Sequence, residues 1–143
     1  MGNRNMLDAD LSQYTVMVVD DIALNIMLVQ KMLVRYNFKV VTASNGAEAM
    51  EMVRTEKPNL MLLDLMMPVM DGYEVIRRIK SDPQMSSVRI VVLSALNTNG
   101  NVVKALNMGA DEFITKPITM DKLYASVNAQ FKMIRAIEAD ERG

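Results

Sequence analysis

Four short strand-like runs in this chain each end in a side chain that can do chemistry. Asp20 and Asp21 follow Thr15–Val19, Asp64 follows Leu60–Leu63, Ser94 follows residues 88–93, and Lys116 follows Glu112–Thr115. Carboxylates, a hydroxyl and an ammonium are the groups that hold a hard cation and the oxygens of a phosphoryl group. Brought into one place, three carboxylates repel one another. At an effective dielectric of about 20, two unit charges about 4 Å apart interact by about 4 kcal/mol, so the cluster calls for a proton or a cation. Every side-chain ligand would be oxygen, which selects Mg²⁺ (or Mn²⁺) over zinc or copper. Mg²⁺ keeps waters and open positions, leaving room for a phosphate oxygen. A carboxylate facing a metal, an ammonium and a hydroxyl is placed to attack phosphorus and become an aspartyl phosphate.

Each residue has a plainer reading. An Asp-Asp pair after a strand is the ordinary start of a helix, and Ser94 or Lys116 alone says little. Asp64 is the sharper signal: it interrupts the apolar stretch 60–67, and an ionised group there is expensive to bury without partners. Met61, Met66, Met67 and Met70 resemble a soft-metal box but are read as core packing.

For these side chains to meet, the chain must arrange strands and helices around them. Strands are expected over Thr15–Val19, Lys39–Ala43, Leu60–Leu63, 88–93 and, more weakly, Glu112–Thr115. Between the first two, Ile22, Ile26, Val29, Leu33 and Tyr36 fall on one face of a 3.6-residue period. Asn45-Gly46 turns the chain into a second helix that carries Ala47, Met50 and Val53 and stops at Lys57-Pro58. Gly72–Ser81 predicts a third, 101–108 a fourth ending at Gly109, and a fifth starts near Thr119 with Leu123, Val127, Phe131 and Ile134 on one stripe. Ile134 and Ile137 carry that stripe on toward the tail. Strict alternation with apolar strands means a parallel sheet covered on both faces, the doubly wound α/β class. Five such units commonly take the flavodoxin-like order 2-1-3-4-5, with the site beyond the strand ends where the direction reverses.

What is missing narrows the function. The 143 residues contain no His and no Cys, which excludes a Ser-His-Asp triad, an imidazole base, a thiolate nucleophile, a zinc-thiolate site and disulfides. Sixteen basic and seventeen acidic residues give a net charge of -1, so neither nucleic acid nor an anionic membrane is attracted in general. The length predicts one domain. Asp64 breaks the longest apolar run, 60–70, far short of a membrane span. No secretion signal is visible and Met6 spoils a myristoylation pattern, so a cytoplasmic protein is expected.

The motifs resemble those of a bacterial two-component response-regulator receiver domain of the chemotaxis-receiver kind. They are Val18-Val19-Asp20-Asp21 with Asn25, the run 62–72 from Leu62-Leu63-Asp64 to Met70-Asp71-Gly72, Leu93-Ser94-Ala95, and the run 109–117 ending in Lys116-Pro117. The resemblance covers roughly 15–131, leaving 1–14 as an N-terminal extension and 132–143 as a C-terminal helix extension or linker. It implies that Asp64 takes a phosphoryl group from a phosphohistidine on a sensor histidine kinase or a histidine phosphotransfer protein. Asp21, Asp64 and the Met66 backbone carbonyl would hold Mg²⁺, Asp20 would act through water, and Lys116 would pair with the phosphate. A cis Lys116-Pro117 bond is expected. Ser94 and Phe113 stand at the two switch positions, and the fourth helix, fifth strand and fifth helix form the output face. Met66 and Leu96 stand where the family tunes phosphoryl lifetime; neither can orient a water, so self-dephosphorylation should be slow. A regulator of this kind is not an enzyme toward other substrates. Its partners would be the phosphodonor, a downstream target or fused output domain, and a second copy through the output face or the C-terminal helix. Two rivals remain: a dehalogenase-like phosphatase, which would want an acid where Met66 stands, and a receiver-like scaffold that works without phosphorylation.

Overall fold

The computed structural model describes residues 6–96 and 98–142. Five strands, β1 (Thr15–Val19), β2 (Lys39–Ala43), β3 (Leu60–Leu63), β4 (Arg89–Ser94) and β5 (Glu112–Thr115), pair in parallel in the order β2-β1-β3-β4-β5. The expected fold class and strand order are what the chain adopts. Five helices alternate with them: α1 (Ala23–Leu33), α2 (Gly46–Glu56), α3 (Gly72–Ser81), α4 (Asn99–Asn107) and α5 (Met120–Arg142). Successive strand residues point to opposite faces. Val16, Val18, Leu60, Leu62, Val91 and Leu93 therefore pack under α1 and α5, against Leu33 and Phe131. Met17, Val19, Met61, Leu63, Ile90 and Val92 pack under α2, α3 and α4, against Val53, Ile76 and Ala105. Both faces are covered, which is why β3 is apolar at every position.

Local chemistry starts and stops the helices. Asn45, Asp71 and Thr98 each accept a backbone N–H from the first turn of α2, α3 and α4. Thr98 lets α4 begin at Asn99 rather than near residue 101, and β4 lies one residue later than its apolar run suggests. Ile22 is a correction: it stands at the N-cap of α1 and is 52% exposed, so the buried stripe of this segment is Val29, Leu33 and Tyr36.

Two segments flank the motif-bearing region. Residues 6–14 bury Met6, Ala9, Leu11 and Tyr14 in the α1–α5 side of the core. The Tyr14 ring meets Phe131 edge-on at 5.3 Å, and its hydroxyl donates to Glu138 on α5, which runs unbroken to Arg142. No helix among the described residues is long and apolar enough to cross a membrane.

Candidate functional site

The parallel register places Val19 of β1 beside Leu63 of β3, so the residues that follow them emerge side by side at the carboxyl edge of the sheet. Backbone bonds hold them there: the Asp64 N–H donates to the Val19 carbonyl at 3.0 Å and the Asp20 N–H to the Ala43 carbonyl at 3.2 Å. Carboxylate oxygens of Asp20, Asp21 and Asp64 lie within 4.8 Å of one another. Asp20 and Asp64 are each 6% exposed, whereas Asp21 is open to solvent. From the end of β5, Lys116 brings Nζ to 3.2 Å from Asp20 Oδ2 and 3.9 Å from Asp64 Oδ2. The Lys116–Pro117 peptide bond is cis.

The loop after β3 is built tightly around Asp64. The Gly72 N–H donates to the Leu65 carbonyl at 2.9 Å. A Cβ at position 72 would lie 2.5 Å from the Asp64 carbonyl oxygen and 2.7 Å from Leu65 Cα, so only glycine fits. The Met66 N–H donates to Asp64 Oδ1 at 3.4 Å, while the Met66 side chain is 58% exposed. Packing describes Met61 and Met67, which are buried, and in part Met70; it does not describe Met66, which sits beyond the strand where alternation no longer aims side chains into the core.

Ser94 is fully buried at the end of β4, with its hydroxyl accepting the Leu96 N–H at 3.1 Å and its carbonyl accepting the Lys116 N–H at 2.9 Å. Phe113 and Leu96 are half-buried against the α2–α3–α4 side of the core. The structure thus gathers Asp20, Asp21, Asp64, Lys116 and the Met66 backbone into one cluster. Ser94 stands on the strand beside Lys116, and Phe113 and Leu96 lie toward α4. Sequence reasoning missed one hydrogen bond and one cavity here. Asp20 Oδ1 accepts the Ile22 N–H at 2.9 Å, two residues on, which fixes the chain just ahead of α1. A cavity of about 230 Å³ between α1 and the Lys116–Pro117 turn opens beside Asp20 and Asp64, with Asn25, Leu28 and Ile118 on its walls.

Electrostatically the cluster is unfinished. Burial pushes the Asp64 carboxyl above the usual carboxylate range; Lys116 and the Met66 N–H oppose this, and Asp20 and Asp21 add to it. One ammonium faces three carboxylates. An all-oxygen donor set with one open, solvent-facing member and an unneutralised excess of negative charge fits a Mg²⁺-like hard cation that keeps part of its hydration.

Comparison with known proteins agrees with this geometry. The family description "Response regulator receiver domain" matches residues 16–128. The response regulator PleD of Caulobacter vibrioides is 38% identical over 121 residues, covering 83% of this chain and 27% of PleD. The chain therefore spans about a quarter of that relative. The chemotaxis protein CheY of Bacillus subtilis is 36% identical over 117 residues, 80% of this chain and 95% of CheY. Among solved structures, the signal receiver domain of a LuxO repressor protein from Vibrio parahaemolyticus superposes with a TM-score of 0.84 at 24% identity, over 90% of this chain and 97% of that one, which speaks to the fold alone. Fold, acidic cleft and sequence kinship converge: the chain belongs to the response-regulator receiver-domain family.

Proposed function

We propose that Asp64 is the phosphoacceptor of this receiver domain. The donor is a phosphohistidine carried by a sensor histidine kinase or a histidine phosphotransfer protein. An Asp64 carboxylate oxygen attacks phosphorus, the P–N bond breaks as the P–O bond forms, and the nitrogen electron pair returns to the donor imidazole. Asp21, Asp64 and the Met66 carbonyl would hold Mg²⁺, with Asp20 acting through water. Bound there, the ion would neutralise charge on the phosphoryl oxygens. Lys116 lies close enough to Asp64 to exchange its carboxylate contacts for a phosphoryl oxygen. Ser94 supplies a hydroxyl from the neighbouring strand end, and Phe113 beside α4 is the residue that answers its movement. The face formed by α4, β5 and α5 then shifts between two packings and is read by a downstream target or an output domain.

The observation that supports this reading most is the convergence of Asp20, Asp21 and Asp64 within 4.8 Å with Lys116 against two of them. The test is intact-mass analysis after incubation with acetyl phosphate. One phosphoryl group should appear on the wild type with Mg²⁺, disappear with a chelator, and be absent from Asp64→Asn. Uptake by Asp64→Asn, or uptake indifferent to the chelator, would overturn it.

A further inference from the structure

We infer that Tyr73 is a positioning residue that couples the phosphoacceptor loop to α4. The inference rests on the reading of Asp64 given above. α4 is weakly anchored: Ala105 is its one buried residue, whereas α2 and α3 bury four each and α5 six. A helix with so little apolar burial depends on polar ties to fix its position.

Those ties run to Tyr73. Its hydroxyl donates to Asn101 Oδ1 at 2.9 Å, in the first turns of α4. The other end of the same amide donates to Thr98 Oγ1 at 2.7 Å, the residue that caps the helix. Lys104, one turn on, places Nζ 4.1 Å from the centroid of the Tyr73 ring, a cation–π distance. One side chain thus meets α4 through its hydroxyl and through its face. At the other end Tyr73 follows Gly72, whose Cα is pressed against the Asp64 carbonyl so closely that a Cβ is excluded. The path from the acceptor to α4 is therefore short: the Asp64 backbone, Gly72, Tyr73, Asn101, Thr98.

The tie fixes α4 in the arrangement described here. A contact present in one of two arrangements biases the equilibrium toward it, and by linkage it opposes any ligand that favours the other. Loss of the tie should therefore change the affinity of a phosphoryl mimic at Asp64. A single neutral hydrogen bond predicts a change of about two- to tenfold.

The experiment uses the whole chain, with beryllium fluoride and Mg²⁺ as the probe. Probe affinity and backbone hydrogen exchange are compared for wild type, Tyr73→Phe, Tyr73→Leu and Lys104→Gln. Tyr73→Phe keeps the ring under Lys104 and should shift probe affinity by about two- to tenfold, with faster exchange in α4 and wild-type protection in β1 and β3. Tyr73→Leu, which loses both contacts, should go further, and Lys104→Gln should fall between wild type and Tyr73→Leu. Unchanged probe affinity in both Tyr73 variants, or unchanged α4 exchange, would overturn the coupling. If the wild type fails to bind the probe, or Asp64→Asn binds it equally well, the phosphoacceptor assignment fails instead, while α4 exchange in the free proteins still decides whether Tyr73 holds the helix.

Discussion

Replacing Asp64 by Asn should stabilise the metal-free domain, although it removes the residue on which the function turns. In the free protein the Asp64 charge lies within 4.8 Å of the Asp20 and Asp21 oxygens and 3.9 Å from Lys116 Nζ. At an effective dielectric of about 20, each carboxylate repels it by about 3.5 kcal/mol and the ammonium attracts it by about 4 kcal/mol. The balance opposes the charge by about 3 kcal/mol before burial is counted. Asp21 is exposed and its share is screened, which leaves an expected gain of about 1–2 kcal/mol. The pH dependence has a fixed sign. Asp64 has a raised folded-state pKa, so the folded state binds more protons than the unfolded chain between the unfolded and folded pKa values, and wild-type stability falls as pH rises through that window. The advantage of the variant should be full at neutral pH and close as pH falls toward the unfolded carboxylate value. Saturating Mg²⁺ should reverse the order, since binding at a concentration 100-fold above Kd adds about 2.7 kcal/mol to the wild type alone. Urea unfolding followed by circular dichroism, with chelator and with Mg²⁺, measures all three. If Asp64→Asn is no more stable than wild type in chelator at neutral pH, the electrostatic argument is wrong.

Gly72→Ala forces a Cβ to within 2.5 Å of the Asp64 carbonyl; unfolding curves should show a loss of about 1–3 kcal/mol, and Mg²⁺ titration a weaker site. Lys116→Met strips the cation from two buried carboxylates. Metal-free stability at neutral pH should fall by roughly 2 kcal/mol, and Mg²⁺ affinity measured calorimetrically should rise, because a competing positive charge is gone. Asn at 66 together with Glu at 96 should shorten the phosphoryl half-life of the labelled protein, since both can orient a water where Met66 and Leu96 cannot; an unchanged half-life would refute the slow-hydrolysis expectation.

Much of the fold was legible because its signals are local. A short apolar run such as Leu60–Leu63 bounded by turn signals fits a strand buried on both faces, and the alternation with amphipathic helices leaves few topologies. The acidic cluster was legible for a related reason: Asp64 follows β3 directly, where a charge has no structural use. What stayed hidden depends on pairs far apart in sequence. Met6, Ala9, Leu11 and Tyr14 show no helical or strand period, and they are buried through contact with distant residues of α1 and α5. Tyr14 and Glu138 stand 124 positions apart. Ile22 has the right spacing for the α1 stripe, yet the helix starts one residue later and leaves it exposed. The Tyr73 to Asn101 contact follows from how α3 and α4 lie side by side, which no periodicity encodes.

The most direct test of the central claim is to trap the acyl phosphate chemically. Treatment with acetyl phosphate and Mg²⁺, reduction with borohydride and peptide mass spectrometry converts a phosphorylated aspartate to homoserine at its own position. Homoserine at position 64 alone, absent when Mg²⁺ is withheld, is the predicted result. Homoserine at position 20 or 21, or a reduction-resistant phosphoryl group on Ser94, would contradict the account.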